Sequence, residues 1–286
     1  LINCFMQSVN DCFYKVKAKC FKYFVSQKIS LINKDEMLKS FLIPICFWIS
    51  KKKKVKYPVI IGLSGGQGSG KTTISFILSI ILKKYFKFNV CRISIDDFYK
   101  TKKEREVLSK TKHPLFIYRG VPGTHDVDML LKFFKKIKTK NFRKFKFPKF
   151  NKATDDRYKK KYWNSVKSKP QIVIFEGWCI GAKHQNYDKL IKSINLIEKK
   201  LDKNFKWRKF VNLQLMTKYK KIFNKIDNYL YIKVDNFNLL KKWRIKQEKK
   251  LLINNKNKKN LKIMKTSEVL IFMQTYQRIT QQMFKD

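Results

Sequence analysis

The sequence predicts an α/β fold, a doubly wound parallel sheet with helical additions at its N-terminal and C-terminal ends. Three observations lead there. Short apolar runs at Val59–Ile61, Val90–Ile95, Ile172–Phe175 and Tyr229–Val234 are separated by stretches with helical periodicity, the alternation that yields parallel strands joined by crossover helices. Two of these runs end in acidic residues, Asp96 and Glu176, at the strand edge where open α/β sheets bind ligands. All nine glycines of the 286 residues fall in three stretches, Gly62 to Gly70, Gly120 to Gly123, and Gly177 to Gly181. Glycine permits positive φ and close approach to a ligand, so these stretches are expected to build one site.

Residues 1 to about 50 read as helical but weakly punctuated. Within them Phe41–Ile49 is apolar but too short, and interrupted by Pro44, to span a bilayer or serve as a secretory signal, so it is expected to be a buried helix. The lysine run Lys51–Lys54 before Tyr57-Pro58 marks the expected hinge, dividing a helical N-terminal extension (1–54) from the nucleotide-binding domain (55–286). Farther on, Val127 to Ile137 forms a helix after a turn. Trp207, Phe210, Val211, Leu215, Ile222 and Phe223 define another helix, and Val269 to Met283 a last one, after Ser267. Between the last two, Asn254–Asn260 is a lysine and asparagine tract with no core-forming residue, expected to be a mobile loop.

Gly65 to Thr72 carries the spacing G-x-x-x-x-G-K-[ST], preceded by a β-branched run and followed by the apolar-periodic Ile74–Leu82. Strand, loop and helix are the context that a Walker A motif requires, which makes the sheet one of the P-loop nucleoside triphosphate hydrolase/kinase type. The small residues among Gly65, Gly66, Gln67, Gly68, Ser69 and Gly70 let successive backbone N–H groups curl around phosphates at a helix N-terminus. Lys71 then reaches the β and γ oxygens. The Thr72 hydroxyl is placed to ligate Mg²⁺, and Thr73 contacts the α-phosphate or caps the helix. ATP as co-substrate and Mg²⁺ as cofactor follow.

A formal charge of +47 points toward nucleic acid on its face. Only eight of the 67 basic residues are arginine, however, and the lysines are spread along the whole chain with an excess of Asn, Ile and Phe. An AT-rich coding sequence accounts for that pattern without a polyanion partner. No specific nucleic-acid partner and no membrane partner are expected. Six cysteines without a C-x-x-C pair indicate neither a zinc site nor a disulfide framework, and a reduced, cytoplasmic setting is the expectation.

Scarce arginine singles out its positions, because only guanidinium offers a planar fork for carboxylate or phosphate. Arg119, Arg157 and Arg244 lie in loop or helix-start contexts suited to a site, whereas Arg92, Arg105, Arg143, Arg208 and Arg278 read as solvated surface. Glu176 occupies the Walker B position past an apolar strand, where it holds Mg²⁺ directly or through water unless it is a plain strand-end carboxylate. Asp96, nearest the strand end, is the candidate to orient an attacking hydroxyl and take its proton late in the reaction. His125 follows a Pro-Gly turn at a loop-to-helix junction, as a substrate contact or a structural histidine.

The run of G-L-S-G-G-Q-G-S-G-K-T-T, S-I-D-D-F-Y, H-P-L-F-I-Y-R-G-V-P-G-T-H-D, P-K-F-N-K-A-T-D-D-R, F-E-G-W-C-I-G-A and W-R-I-K-Q-E resembles the glycerate 3-kinase family of P-loop kinases, related to uridine kinase, phosphoribulokinase and pantothenate kinase. The similarity spans about residues 40 to 285. It implies ATP-dependent phosphorylation of a glycerate hydroxyl, with Asp96 in the place of the catalytic aspartate and Arg119, His125, Asp126 and Arg157 in acceptor-site segments. Asn151 stands where relatives often carry Asp. Another hydroxyl acceptor, nucleoside or pantothenate-like, is the alternative within the same chemistry. A nucleotide-binding regulatory protein is the alternative outside it.

Overall fold

The computed structural model describes residues 2–54, 56–234, 236–254 and 264–285. Its strands in chain order are β1 (Val59–Gly65), β2 (Val90–Ser94), β3 (Phe145–Phe147), β4 (Phe150–Asn151), β5 (Asp156–Arg157), β6 (Asn164–Val166), β7 (Ile172–Gly177) and β8 (Asn228–Ile232). Four of them form one parallel sheet in the order β2-β7-β1-β8, with Val59 opposite Ile172, Val90 opposite Ile172 and Ile61 opposite Asn228. Two antiparallel pairs, β3 with β6 and β4 with β5, stand apart from it.

Side chains alternate across a strand, and the two central strands use both faces. Val59, Ile61 and Leu63 of β1 and Ile172 and Ile174 of β7 pack into a core with the helices Ile2–Ser26, Ile43–Lys51 and Lys71–Lys84. Ile60, Val173 and Phe175 face the opposite core, shared with Val127–Lys138, Lys206–Gln214 and Thr266–Met283. Both faces are therefore covered by helices, as the continuous apolar runs require.

The first helix joins the sheet through a stripe of Val9, Cys12, Phe13, Val16, Cys20 and Phe24, all buried, at the three- and four-residue spacing of one helical face. Each large apolar side chain so buried stabilises by about 2 kcal/mol as an upper estimate. The apolar run at 41–49 is likewise a helix, Ile43–Lys51, entered through a π-helical turn over Leu38–Leu42, with Ile43, Cys46 and Ile49 fully buried.

Several elements differ from their sequence-based outlines. The second strand stops at Ser94 because its hydroxyl accepts from Asp96 N at 3.3 Å and caps a short 3-10 turn over Ile95–Phe98. The last strand runs Asn228–Ile232 instead of 229–234. It lies at the sheet edge, so Tyr229 and Tyr231 stay partly exposed. The helix beginning at Lys206 continues to Phe223 through a π-helical turn at Leu215–Tyr219. Of the tract 254–260, residues 255–260 lie outside the described residues.

Three of the arginines expected at the surface are buried: Arg105, Arg208 and Arg278. Each is matched to a carboxylate, Asp155, Asp202 and Glu198 respectively, and to backbone carbonyls. A guanidinium with five donors can be buried when its partners saturate that fork.

Candidate active site

The loop after β1 turns into the helix Lys71–Lys84 with Gly70 as its N-cap. Gly68 has φ +80°, and a Cβ there would stand 2.9 Å from the Cβ of Trp243, so the helix Phe237–Asn254 presses on the loop from outside. Inside the loop Lys71 Nζ donates to Gly66 O at 2.7 Å. The side-chain oxygens of Ser69 and Gln67 are buried without a partner. The Ser69 hydroxyl at this helix N-terminus is a donor suited to an anion, whereas the Gln67 amide oxygen can only accept and suits a donor instead. Burial pushes the Lys71 ammonium below its usual range, with Glu176 and then Asp96 opposing the shift.

Glu176 is the last residue but one of β7 and lies beside the loop because β7 pairs with β1 in register, Leu63 opposite Glu176. Its Oε1 accepts from Thr72 Oγ1 at 3.1 Å. The carboxyl is raised by burial, with Lys71 pulling it down and Asp96 pushing it up. Two hard oxygen donors side by side suit Mg²⁺, which takes few protein ligands and fills its remaining positions with phosphate oxygens and water. Among the described residues, no group of three or more His, Cys, Asp or Glu is placed to hold a metal.

Asp96 follows β2 on the 3-10 turn. Burial would raise its carboxyl, but Lys152, whose Nζ donates to Oδ2 at 2.7 Å, outweighs that and holds it well below the usual carboxylate range, helped by His125 and by a hydrogen bond with Tyr99. The adjacent Asp97 moves the other way, to about 6, through burial and the charge of Asp96. Two neighbouring carboxyls are thus split, and Asp96 keeps the negative charge.

His125 is buried. Its Nδ1 shares a 2.6 Å hydrogen bond with the Tyr219 hydroxyl and its ring stacks on Tyr99, with centroids 4.4 Å apart, while Nε2 has no partner. Burial lowers its pKa to about 4, so the ring is neutral near pH 7. Arg119 pairs with Asp155, and its carbonyl accepts from the Tyr276 hydroxyl at 3.3 Å. Gly120 next to it has φ +140°, and a Cβ there would collide with the Tyr276 hydroxyl.

Arg157 donates to Tyr99 O at 2.8 Å and approaches Asp126 Oδ2 at 3.5 Å. Asp126 also caps the helix Val127–Lys138 by accepting from Met129 N. Both of these predicted acceptor-site residues are therefore engaged within the protein, around the turn that carries Asp96. Arg244 sits in the second turn of Phe237–Asn254, not at its start. Its guanidinium is held by Glu248 and by Gln247, while its backbone nitrogen lies 3.5 Å from where a Gly68 Cβ would be.

Lys152 is the site residue that sequence reasoning missed. It lies in the P-K-F-N-K-A-T-D-D-R segment, but a lysine among 67 basic residues carries no distinguishing signal. Asp155, which receives both Arg105 and Arg119, was missed because its partners come from 50 and 36 residues away.

Comparison with known proteins agrees with this geometry. Residues 60–208 match the phosphoribulokinase / uridine kinase family. Mug58 of Schizosaccharomyces pombe, described as an uncharacterized kinase, is 31% identical over 199 residues, covering 67% of this chain and 70% of its own length. The chloroplastic D-glycerate 3-kinase of Arabidopsis thaliana is 32% identical over 205 residues, 67% of this chain but 41% of that protein, so the chain matches less than half of that relative's length. A solved structure of D-glycerate 3-kinase from Cryptococcus neoformans has the same fold, with a TM-score of 0.65 at 24% identity over 83% of this chain and 84% of that one. The phosphate loop, the acid beside it and the matched family together establish that the chain belongs to the phosphoribulokinase/uridine kinase family of P-loop kinases.

Proposed function

We propose that this kinase transfers the γ-phosphate of ATP to a hydroxyl of glycerate, with Mg²⁺ as cofactor. The observation that carries the reading is the meeting of Lys71, the Thr72–Glu176 pair and Asp96 at the C-terminal ends of β1, β7 and β2. Gly65, Gly66, Gln67, Gly68, Ser69, Gly70 and Thr73 line the phosphates, and Arg244 stands over the loop. Thr72 and Glu176 would hold Mg²⁺, which supplies neutralisation of charge on the β- and γ-phosphate oxygens.

Asp96 orients the acceptor hydroxyl. An ionised aspartate is too weak a base to remove an alcohol proton in the ground state, so it accepts that proton as the bond to the leaving ADP oxygen breaks. Glycerate is small and anionic, with little apolar surface, and must be gripped by charge-assisted hydrogen bonds. Arg119, Arg157 and neutral His125 are the groups we assign to that grip: Arg157 Nε and His125 Nε2 are buried without a protein partner, while the internal bonds of Arg157 to Tyr99 O and Asp126 set its position.

Among the described residues, no helix is long and apolar enough to cross a membrane. We place the enzyme in the cytoplasm, acting on ATP and a small hydroxy acid. The test is a coupled ADP-release assay over a panel of hydroxy acids and nucleosides. Glycerate-dependent turnover is the expected result. Robust turnover on uridine or a pantothenate-like alcohol with none on glycerate would reassign the acceptor, and ATP binding without turnover on any acceptor would favour a regulatory nucleotide-binding role.

A further inference from the structure

The β4–β5 hairpin pairs Phe150 with Arg157 and Asn151 with Asp156, and Lys152 leaves its near strand to bond Asp96 at 2.7 Å. Anchors to three other segments hold its far side. Asp155, at φ +55°, accepts from the buried Arg105 through both its carbonyl (2.6 Å) and its Oδ2 (2.9 Å), and it pairs with Arg119. Asp156 Oδ1 accepts from Lys102 N at 3.0 Å. Arg157 donates to the carbonyl of Tyr99, three residues after Asp96.

An isolated surface ion pair contributes about 0–1 kcal/mol and needs no such scaffold. Here the Lys152 side chain is 64% exposed while the hairpin beneath it is clamped by two arginines. Its partner, Asp96, is the carboxylate proposed above to orient the acceptor hydroxyl.

We infer that Lys152 is a positioning residue for phosphoryl transfer: the clamped hairpin delivers its ammonium to one oxygen of Asp96, fixing the carboxylate so that it can meet the acceptor hydroxyl. This rests on the kinase reading above and deepens it. The charged and titratable groups facing Asp96 are Lys152, His125, Tyr99, Lys71, Glu176, Asp97, Cys179 and Tyr276, and Lys152 is the strongest of those that favour its charge. In the step itself the acceptor oxygen bonds to the γ-phosphorus and the bond from that phosphorus to the bridging oxygen of ADP breaks. The hydroxyl proton passes to Asp96 and then to solvent.

The test uses the full chain with Lys152→Gln and Lys152→Arg, assayed with ATP and glycerate, or with whichever panel acceptor the unmodified protein phosphorylates. Lys152→Gln should lower kcat by about 10²-fold, the loss expected when a reacting group is misplaced by an ångström, and leave the KM for ATP within about twofold. Lys152→Arg should recover about tenfold of that loss by restoring the charge. Thermal unfolding should be unchanged in both. Unchanged kcat for Lys152→Gln, or an arginine variant no better than the glutamine one, overturns the inference and leaves the kinase reading standing. Absence of transfer by the unmodified protein to any acceptor overturns both.

Discussion

Thr72 Oγ1 and Glu176 Oε1 lie 3.1 Å apart, joining the first turn of the helix after the phosphate loop to the end of the neighbouring strand. The parallel register of β1 and β7, with Leu63 opposite Glu176, brings the end of β7 beside the loop that follows β1. Glu176→Gln keeps the shape and removes a charge from the proposed Mg²⁺ pair. It should raise the Mg²⁺ concentration needed for half-maximal rate by about tenfold or more, while the mutant still melts like the unmodified protein. A Mg²⁺ titration of initial rates checks this, and an unchanged half-saturation point removes Glu176 from the metal's shell.

Lys71 and Asp96 should fail differently. Lys71→Ala loses the cation from the loop and should weaken ATP binding as well as rate. Asp96→Asn should bind ATP nearly as well and lose about 10²–10⁴ in kcat, the range for a positioned proton acceptor. Calorimetric ATP binding alongside steady-state rates separates them. Equal, modest effects would contradict both roles.

Neutral His125 gives a pH signature of folding. Its pKa is about 4 in the folded protein against about 6.5 unexposed to such burial, so the unfolded chain takes up the proton first as pH falls. Its contribution is fully present above about 6.5 and is lost as pH drops toward 4, amounting to about 3 kcal/mol. Asp97, raised to about 6, acts in the opposite sense, and comparison with His125→Gln cancels it. Urea unfolding of both proteins at several pH values should show the unmodified protein losing that much more stability. Parallel curves would mean that His125 titrates in the fold as it does in the unfolded chain.

Arg278 grips Glu198 with two bonds, 2.8 and 2.6 Å, and ties the last helix to the segment around residue 190 through the carbonyls of Lys189 and Lys192. Arg278→Leu leaves a buried carboxylate unpaired and should cost about 3–5 kcal/mol, with partial recovery on adding Glu198→Gln. Denaturant unfolding measures it. A loss under about 1 kcal/mol would show that water reaches the pair.

What could be read from sequence were features with local causes. The phosphate loop declared itself through Gly65 to Thr72, the sheet through apolar runs ending in Asp96 and Glu176, and the helix at Val127 through its spacing. Thr101 and Glu104 form a capping box at the start of Lys102–Thr111, a signal equally local to the sequence. The remainder depends on pairings between distant segments. Nothing near Arg105 says that Asp155 will meet it, and nothing near Lys152 separates it from the other lysines. The proposed acceptor side of the site is built from such long-range ion pairs, so sequence points to its segments more readily than to the role of each residue.

The most direct test of the account is single-turnover transfer of radiolabelled γ-phosphate from ATP to glycerate, with the unmodified protein and Asp96→Asn side by side. The account predicts label on glycerate with the unmodified protein and a slowing of about 10² or more in the variant, at equal ATP occupancy. Equal transfer rates in the two proteins, or label that reaches only water, would contradict it.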